Sequence, residues 1–306
     1  MRVALEGAAA MLGPRAQREV AIGPMTTYRV GGRAALFVEL EDEAVVDAVR
    51  SAVSATGVAV LVVGKGSNLL VADRGFPGLA VTLGHGFATV DLLDGHHVRS
   101  GGAVSLPVLA RRTAAASLTG FEWAVGVPGS LGGAVRMNAG GHGSDMSRSL
   151  VRFRFADLLG GDDGEATVDT LAYGYRRSSL AAHQVVLSAE LALAPGDRAT
   201  SEATIAEIVR WRREHQPGGQ NAGSIFTNPP GDSAGRLIEA AGLKGHRRGS
   251  AYVSPKHANF FQADEGGSAD DVRGLIEEVR QRVEEQTGVD LVPELRLLGF
   301  TDGDPS

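Results

Sequence analysis

The 306-residue chain contains no cysteine, and only three of its 30 basic residues are lysine. The absence of cysteine excludes a disulfide framework, a thiolate metal site and a catalytic thiol, and it leaves the redox compartment open. No block of basic residues stands out in a chain whose formal net charge is −6. This distribution of charge argues against a nucleic-acid partner or another polyanionic one.

Long apolar runs are missing as well. The longest uninterrupted ones, such as residues 58–63, are far shorter than the roughly 20 residues that cross a bilayer. Glu6 interrupts the short apolar stretch at the N-terminus, which therefore does not resemble a signal peptide. We expect a soluble cytoplasmic protein with no membrane partner, and the length suggests about two domains.

Glycine, in contrast, is abundant, with 42 of 306 residues, about twice the usual share. With only 12 prolines and no repeat, this excess does not indicate a fibre or disorder. The glycines concentrate in a first loop at residues 64–68 and a second loop at 126–134. The candidate cofactor-binding residues in these loops are Gly64, Lys65, Gly66, Ser67, Asn68, Gly126, Pro128, Gly129, Ser130, Gly132 and Gly133.

Such loops favour binding of a phosphate group. Glycine adopts positive φ and brings bare backbone close to a ligand, and successive amides form a concave anion site. Neither loop fits the dinucleotide fingerprint, since Leu69 occupies the place of its third glycine, and neither ends in the Gly-Lys-Ser/Thr of a P-loop. Either loop alone could be an ordinary tight turn, but the two together favour a diphosphate-bearing ligand.

Periodicity predicts the main secondary-structure elements. Valines at helical spacing follow the acidic residues 41–43 and end before Gly57, which predicts a helix. Residues 58–63, the alternating segment 151–155 and residues 185–193 are typical of strands. Further helices are predicted after a Thr204–Glu207 capping box, after Asp232, and from Ser268 to Gly288.

Several motifs, in order along the whole chain, resemble the UDP-N-acetylenolpyruvoylglucosamine reductase family, flavoenzymes that make UDP-N-acetylmuramate for peptidoglycan. The two glycine loops are two of these motifs, and the second continues into Met137-Asn138-Ala139-Gly140. The others are residues 26–32, Tyr175-Arg176, residues 221–226, 241–245, 256–258 and 293–296.

The resemblance implies an α+β fold. A two-lobed FAD-binding domain of the vanillyl-alcohol-oxidase (PCMH) type would occupy residues 1–195, with lobes of about 1–84 and 85–195. A smaller α+β substrate-binding domain would follow at 200–306, with a C-terminal strand that carries Glu294. FAD would lie between the lobes, bound non-covalently, with its pyrophosphate on the glycine loops. We expect a monomer that acts on a small UDP-sugar.

The implied reaction uses NADPH to reduce FAD, and the reduced flavin then delivers hydride to the vinyl carbon of an enolpyruvyl ether. Such chemistry needs a cation for charge developing on the carboxylate, a proton donor and a hydrogen-bonding carboxyl group. By resemblance, Arg176, Ser224 and Glu294 take these catalytic roles. Without the resemblance, Arg176 could be a surface arginine, Ser224 a loop serine capping a turn, and Glu294 an edge-strand residue paired with Arg296.

The candidate substrate-binding residues are Tyr175, His215, Asn228 and Lys256. His215 and Thr227 stand where lysine is common in the family. His215 either replaces that lysine near the substrate diphosphate or is a solvated histidine at a helix end. The segment 176–185 is short, so the chain resembles the shorter subtype, which lacks the tyrosine-bearing substrate loop. The eight histidines form no metal motif, and no metal site is expected.

Two other functions stay open at this point. A sugar or lactone oxidase of the same flavin fold would be longer, with a larger cap domain, and would leave the motif around Ser224 unexplained. A non-catalytic flavin- or nucleotide-binding protein descended from the reductase would be favoured by loss of a catalytic residue, and all three are present.

Overall fold

The computed structural model describes residues 1–161 and 163–300. Within them the helices are α1 Arg2–Leu12, α2 Glu43–Thr56, α3 Leu106–Ala115, α4 Leu131–Met137, α5 Arg198–His215, α6 Ala234–Ala240 and α7 Ala269–Thr287. The strands are β1 Gln17–Ala21, β2 Arg33–Leu40, β3 Val60–Val62, β4 Leu69–Val71, β5 Phe76–Leu83, β6 Val90–Leu92, β7 His97–Gly101, β8 Leu118–Thr119, β9 Gly140–Gly141, β10 Ser144–Asp145, β11 Leu150–Asp157, β12 Gly164–Thr167, β13 Gln184–Ala192, β14 Ala194–Pro195, β15 Arg247–Arg248, β16 Ala251–Val253, β17 Phe261–Ala263 and β18 Arg296–Leu298.

The first lobe is a four-stranded sheet of order β1-β2-β5-β3, in which β2, β5 and β3 run parallel. Its core contains the buried faces of α1 and α2. The predicted helix at α2 is confirmed: the Asp42 carboxylate accepts a hydrogen bond from the Val45 amide at 2.9 Å, and Gly57 ends the helix with φ of 65°.

The second lobe is a five-stranded antiparallel sheet of order β12-β11-β13-β7-β6. The predicted strands at 151–155 and 185–193 are confirmed as β11 and β13. The predicted capping box at Thr204 is wrong, because Asp197 caps α5 seven residues earlier and Thr204 lies inside the helix. Ile205 and Ile208 of α5 are buried in the core of this lobe, which therefore continues past residue 195.

The third unit packs α6 and α7 on a small antiparallel sheet of order β15-β16-β17. As predicted, α7 begins at the Ser268 cap, whose hydroxyl accepts from the Asp271 amide at 3.1 Å, and it ends at Gly288. The cap of α6 is Ser233, not the predicted Asp232, whose carboxylate pairs with Arg236 instead.

One parallel strand pair joins the C-terminal end of the chain to the first glycine loop. Strand β18 pairs with β4, which follows that loop directly. The Asn68 side-chain amide donates to the Glu294 carbonyl at 3.2 Å, and the Arg296 amide donates to the Asn68 carbonyl at 3.1 Å. This pairing brings Glu294 beside a loop more than 220 residues away in sequence. No helix of the described residues is long and apolar enough to span a bilayer.

Candidate active site

A cavity of about 580 Å³ lies where the two lobes and the third unit meet. Most of the predicted site residues line it. They are Gly64, Lys65, Gly66, Ser67, Asn68, Gly126, Pro128, Gly129, Ser130, Gly133, Arg176, Ser224 and Glu294. The other predicted site residues, Gly132, Tyr175, His215, Asn228 and Lys256, are not part of its lining.

The two glycine loops form one side of the cavity, which we call the cradle wall (residues 64–68 and 126–130). A Cβ atom on Gly64 would lie 2.8 Å from the Ser130 hydroxyl, and one on Gly129 would lie 3.4 Å from the Ser67 hydroxyl. The loops therefore face each other with bare backbone between them. Gly132 lies behind this wall, where its amide donates to the Gly102 carbonyl at 2.9 Å.

A second part of the lining, which we call the catalytic wall after the predicted roles of its residues, consists of Arg176, residues 221–224 and Glu294. Ser224 and Glu294 are held on neighbouring extended segments: the Glu294 amide donates to the Ile225 carbonyl at 2.8 Å, and Ser224 forms a β-bridge with Phe260. Behind them the buried Asn259 side chain accepts from the Phe226 amide at 3.0 Å and donates to its carbonyl at 2.8 Å. Ser224 and Glu294 thus share one rigid support.

Arg176 reaches this wall from a tight turn in which Gly174 and Arg177 exchange backbone hydrogen bonds. Its backbone has a φ of 52°, in the left-handed region that a non-glycine residue seldom adopts. The side-chain amide of Asn138, which is buried, donates to the Gly174 carbonyl at 3.2 Å. The motif that follows the second glycine loop therefore anchors the turn that presents Arg176.

The Glu294 carboxylate is held between two side chains of that turn. Its side chain is 10% exposed, and its oxygens lie 3.5 Å from Arg176 Nε and 3.0 Å from the Tyr175 hydroxyl, which donates to it. Partial burial, and then the Glu294 negative charge, raise the pKa of Tyr175. Glu294 therefore has Arg176 as its ion-pair partner, and not Arg296.

The cavity is strongly cationic in a protein of net negative charge. Its basic lining residues are Lys65, Arg136, Arg176, Arg212 and Arg296. Glu294 is the single acidic residue in the lining that the described part of the chain provides. Burial and the nearby Arg296 lower the pKa of Arg136 to about 10, and burial also lowers the pKa values of Arg212 and Arg296. Such a cavity favours ligands with several negative charges.

Comparison with known proteins shows which family has this sequence and architecture. A profile described as UDP-N-acetylenolpyruvoylglucosamine reductase, C-terminal domain, matches residues 215–298, and one described as FAD binding domain matches residues 34–161. The UDP-N-acetylenolpyruvoylglucosamine reductase of Rubrobacter xylanophilus is 41% identical over 96% of this chain and 99% of its own length. This chain belongs to the UDP-N-acetylenolpyruvoylglucosamine reductase family.

Other members agree over nearly the whole length. The reductase of Paramagnetospirillum magneticum is 42% identical over 91% of this chain and 90% of its own length. The crystal structure of the reductase from Thermus caldophilus superposes with a TM-score of 0.80 at 34% identity, over 93% of this chain and 99% of that one. The protein is therefore an FAD-containing oxidoreductase, as predicted, and family membership disfavours the sugar-oxidase alternative.

The cradle wall fits the diphosphate of FAD. The gap between the loops at Gly64 and Ser130 is one that a single Cβ atom would fill, so backbone amides can approach a ligand there. The FAD-binding profile includes both loops. Residues 1–161 and 163–300 contain no cluster of three or more His, Asp or Glu that could hold a metal ion.

The remaining predicted substrate-binding residues have local partners. His215 Nδ1 contacts the Trp211 carbonyl at 2.8 Å, and its ring stacks on the Trp211 ring at 4.8 Å. Asn228 accepts from the Ala234 amide at the start of α6, and Lys256 donates to the Arg213 carbonyl at 2.5 Å. The structure brings Trp211 and Arg212, which the sequence analysis did not single out, to the cavity instead.

Proposed function

We propose that this protein reduces UDP-N-acetylglucosamine enolpyruvate to UDP-N-acetylmuramate at the expense of NADPH, in peptidoglycan precursor synthesis. The observation that carries the proposal is the grouping of Arg176, Ser224 and Glu294 in the lining of the same cavity as the two glycine loops. When bound, FAD supplies the hydride that reduces the enolpyruvyl double bond. Every other requirement of the reaction falls on side chains of this chain.

Arg176 binds the carboxylate of the enolpyruvyl group in this proposal. A guanidinium stays charged throughout the reaction and can fork onto a carboxylate, so it stabilises the negative charge that builds up there when hydride arrives at the terminal carbon. Glu294 lies 3.5 Å from Arg176 Nε and holds the guanidinium in place at the cavity. Because the Glu294 carboxylate is largely buried, water screens its attraction to Arg176 only weakly, and the ion pair is correspondingly stronger.

Ser224 donates the proton that the adjacent carbon requires. A free hydroxyl is a weak acid, so its role depends on position, and the β-bridge to Phe260 together with the Glu294–Ile225 hydrogen bond fixes that position. Glu294 lies on the next segment and can accept or orient a proton at the same face of the substrate.

The diphosphate of the UDP-sugar is proposed to lie at the end of α5. Arg212 lines the cavity there, and His215 lies one turn away on the same helix end. Lys256 contacts the end of α5 through the Arg213 carbonyl, and Asn228 lies before α6 and accepts from its first amide. Both stay proposals for substrate contact. A monomer in the cytoplasm likewise stays our prediction.

A visible absorption spectrum followed by an NADPH oxidation assay tests the function. The purified protein should carry flavin or take it up on addition of FAD. NADPH oxidation should then depend on UDP-N-acetylglucosamine enolpyruvate, with formation of UDP-N-acetylmuramate. NADPH consumption at the same rate with and without that substrate would contradict the proposal, and so would a protein that binds no flavin.

A further inference from the structure

Tyr175 lies outside the cavity lining but contacts the catalytic wall. Its side chain is largely exposed, at 69%, and its hydroxyl donates to Glu294 Oε1 at 3.0 Å. This is the only hydrogen bond that residues 1–161 and 163–300 donate to the Glu294 carboxylate. The Arg176 contact with the other carboxylate oxygen, at 3.5 Å, is a longer ion pair. An exposed residue therefore restrains a carboxylate that is itself only 10% exposed.

The backbone of Glu294 is fixed, but its side chain needs a restraint of its own. Its amide donates to the Ile225 carbonyl at 2.8 Å, and its carbonyl accepts from the Asn68 side chain at 3.2 Å. Neither bond restricts rotation within the side chain, and a glutamate loses much rotamer freedom when it is held in one place. A donor at the carboxylate itself is therefore needed to keep its oxygens at one position.

The turn that carries Tyr175 is tied to α4 on both sides. The Tyr173 hydroxyl donates to the Val135 carbonyl at 2.6 Å, and the Ser178 hydroxyl donates to the carbonyl of the next residue of α4 at 2.5 Å. Hydrogen bonds on both flanks fix the path of the backbone between them. The exposed side chain of Tyr175 thus stands on a fixed base.

Arg176 is shared between two carboxylates in the proposed reaction, because its guanidinium contacts Glu294 and is also proposed to bind the substrate. Its hold on Glu294 therefore weakens when the substrate arrives. The Tyr175 hydroxyl is neutral, so it restrains Glu294 without attracting the substrate's charge. The guanidinium carbon of Arg176 lies 5.5 Å from the centroid of the Tyr175 ring, a cation–π contact that also favours one position of the ring.

We propose that Tyr175 is a positioning residue, whose hydroxyl holds the Glu294 carboxylate in place for reduction of the substrate, and that Tyr175 does not bind the substrate itself. The inference rests on the proposed function. The family resemblance put Tyr175 among the substrate-binding residues, but its hydroxyl is used by a side chain of the protein. Loss of this hydroxyl should slow the reaction of reduced flavin with substrate and should leave flavin reduction by NADPH unchanged.

Tyr175→Phe tests the proposal, because it removes the hydroxyl and keeps the ring. Reduced holoenzyme is mixed anaerobically with increasing concentrations of UDP-N-acetylglucosamine enolpyruvate, and flavin reoxidation is followed by absorbance. The limiting rate should fall about tenfold, as expected for loss of a hydrogen bond to a charged group, while the half-saturating concentration changes by less than about twofold. An unchanged limiting rate with a raised half-saturating concentration would overturn the proposal and assign Tyr175 to substrate binding.

A double-mutant cycle shows whether Tyr175 acts through Glu294. In Glu294→Ala, the further change Tyr175→Phe should alter the limiting rate by less than about twofold, because the partner of the hydroxyl is already gone. A full tenfold loss in that background would overturn the proposal. Tyr252→Phe is the matched control: Arg247 lies 4.7 Å from the ring of Tyr252, but this tyrosine belongs to β16, outside the cavity lining, so both half-reactions should keep their rates.

Tyrosine NMR of the FAD-loaded protein, without NADPH or sugar substrate, keeps this test separate from that of the proposed function. The chain has four tyrosines, so labelling of their ζ-carbons gives four resonances, and Tyr175→Phe identifies one of them by its loss. In Glu294→Ala, or in Glu294→Gln if the first variant does not retain flavin, the Tyr175 resonance should move while that of Tyr252 stays. An unmoved Tyr175 resonance would overturn the proposal. Absence of any reaction with the enolpyruvyl substrate in the unmodified protein would instead contradict the proposed function.

Discussion

The cradle wall exposes backbone to the cavity, whereas the catalytic wall exposes charged and polar side chains. The first is made by two short glycine-rich loops, and Gly66 in one of them has a φ of 60°. The second is assembled from the turn that carries Arg176, the segment before Ile225 and the segment before β18. A binding surface made of backbone depends on local conformation, but one made of side chains depends on how distant segments are held together.

Removal of the Ser224 hydroxyl should affect only the catalytic wall and should have the largest effect. In Ser224→Ala we expect turnover to fall by about 10²- to 10⁴-fold, because no positioned acid replaces it, while NADPH still reduces the flavin at a near-normal rate. Stopped-flow absorbance separates the two half-reactions. Ser233→Ala, which removes a helix cap outside the cavity lining, is the control and should keep full turnover. Equal loss in both half-reactions would disprove the role of Ser224.

Loss of the Asn259 side chain should weaken the support of the catalytic wall. Asn259→Ala leaves the buried amide and carbonyl of Phe226 without partners, which costs about 2–5 kcal/mol of unfolding free energy. Urea unfolding of the flavin-free protein measures this cost. Asn228→Ala removes one partly buried hydrogen bond at the start of α6 and should cost about 1 kcal/mol. Equal losses of unfolding free energy in the two variants would show that Asn259 does not stabilise the catalytic wall more than an ordinary hydrogen bond would.

A methyl group at Gly66 should instead damage the cradle wall. Its Cβ atom would lie 2.6 Å from the Thr26 Cα atom, and its φ disfavours any side chain, so Gly66→Ala should cost about 2–4 kcal/mol and weaken FAD binding. Unfolding and FAD titration are the measurements. Gly266 has a similar φ of 67°, but there is open space around the methyl group that Gly266→Ala adds. This variant should therefore lose only the stability that the unfavourable φ costs. FAD affinity that is equal in the two variants would contradict the prediction.

The smallest expected effect is a loss of stability on acidification, caused by His257, which packs on Phe260 behind the catalytic wall. Burial lowers the pKa of His257, whose ring packs on Phe260. The unfolded chain therefore takes up a proton at higher pH than the folded one, so this contribution to stability is present at neutral pH and is lost as pH falls below about 6.5. The melting temperature of His257→Gln should decline less between pH 7.5 and 5.5 than that of the unmodified protein. Parallel declines would assign the effect to other groups.

Local features of the fold could be predicted because their causes lie within a few residues. Asp42 and Gly57 bound α2, and Ser268 and Gly288 bound α7, as their side chains and φ preferences require. The start of α5 was misplaced because two adequate caps, Asp197 and Thr204, compete, and the burial of Ile205 and Ile208 in the second lobe extends the helix to the earlier one.

Side-chain neighbours in the site could be predicted only in part. The family motifs indicated Arg176, Ser224 and Glu294, and all three line the cavity. The cluster of Arg136, Arg212 and Arg296 was not anticipated, although Arg296 stands in a motif and alternates with buried Leu295 on the same segment as Glu294. That alternation was the signal that could have indicated a second cavity-facing residue.

The sequence by itself determined the bare backbone of the two loops, since the density of glycine is a property of the local chain. Only the tertiary structure decided that Glu294 pairs with Arg176 rather than with Arg296. It also decided that three half-buried arginines share a cavity whose described lining holds one acidic residue. The physical reason is distance along the chain. The register of β18 on β4 and the Asn68–Glu294 hydrogen bond join segments 226 residues apart, and no local preference of either segment specifies that contact.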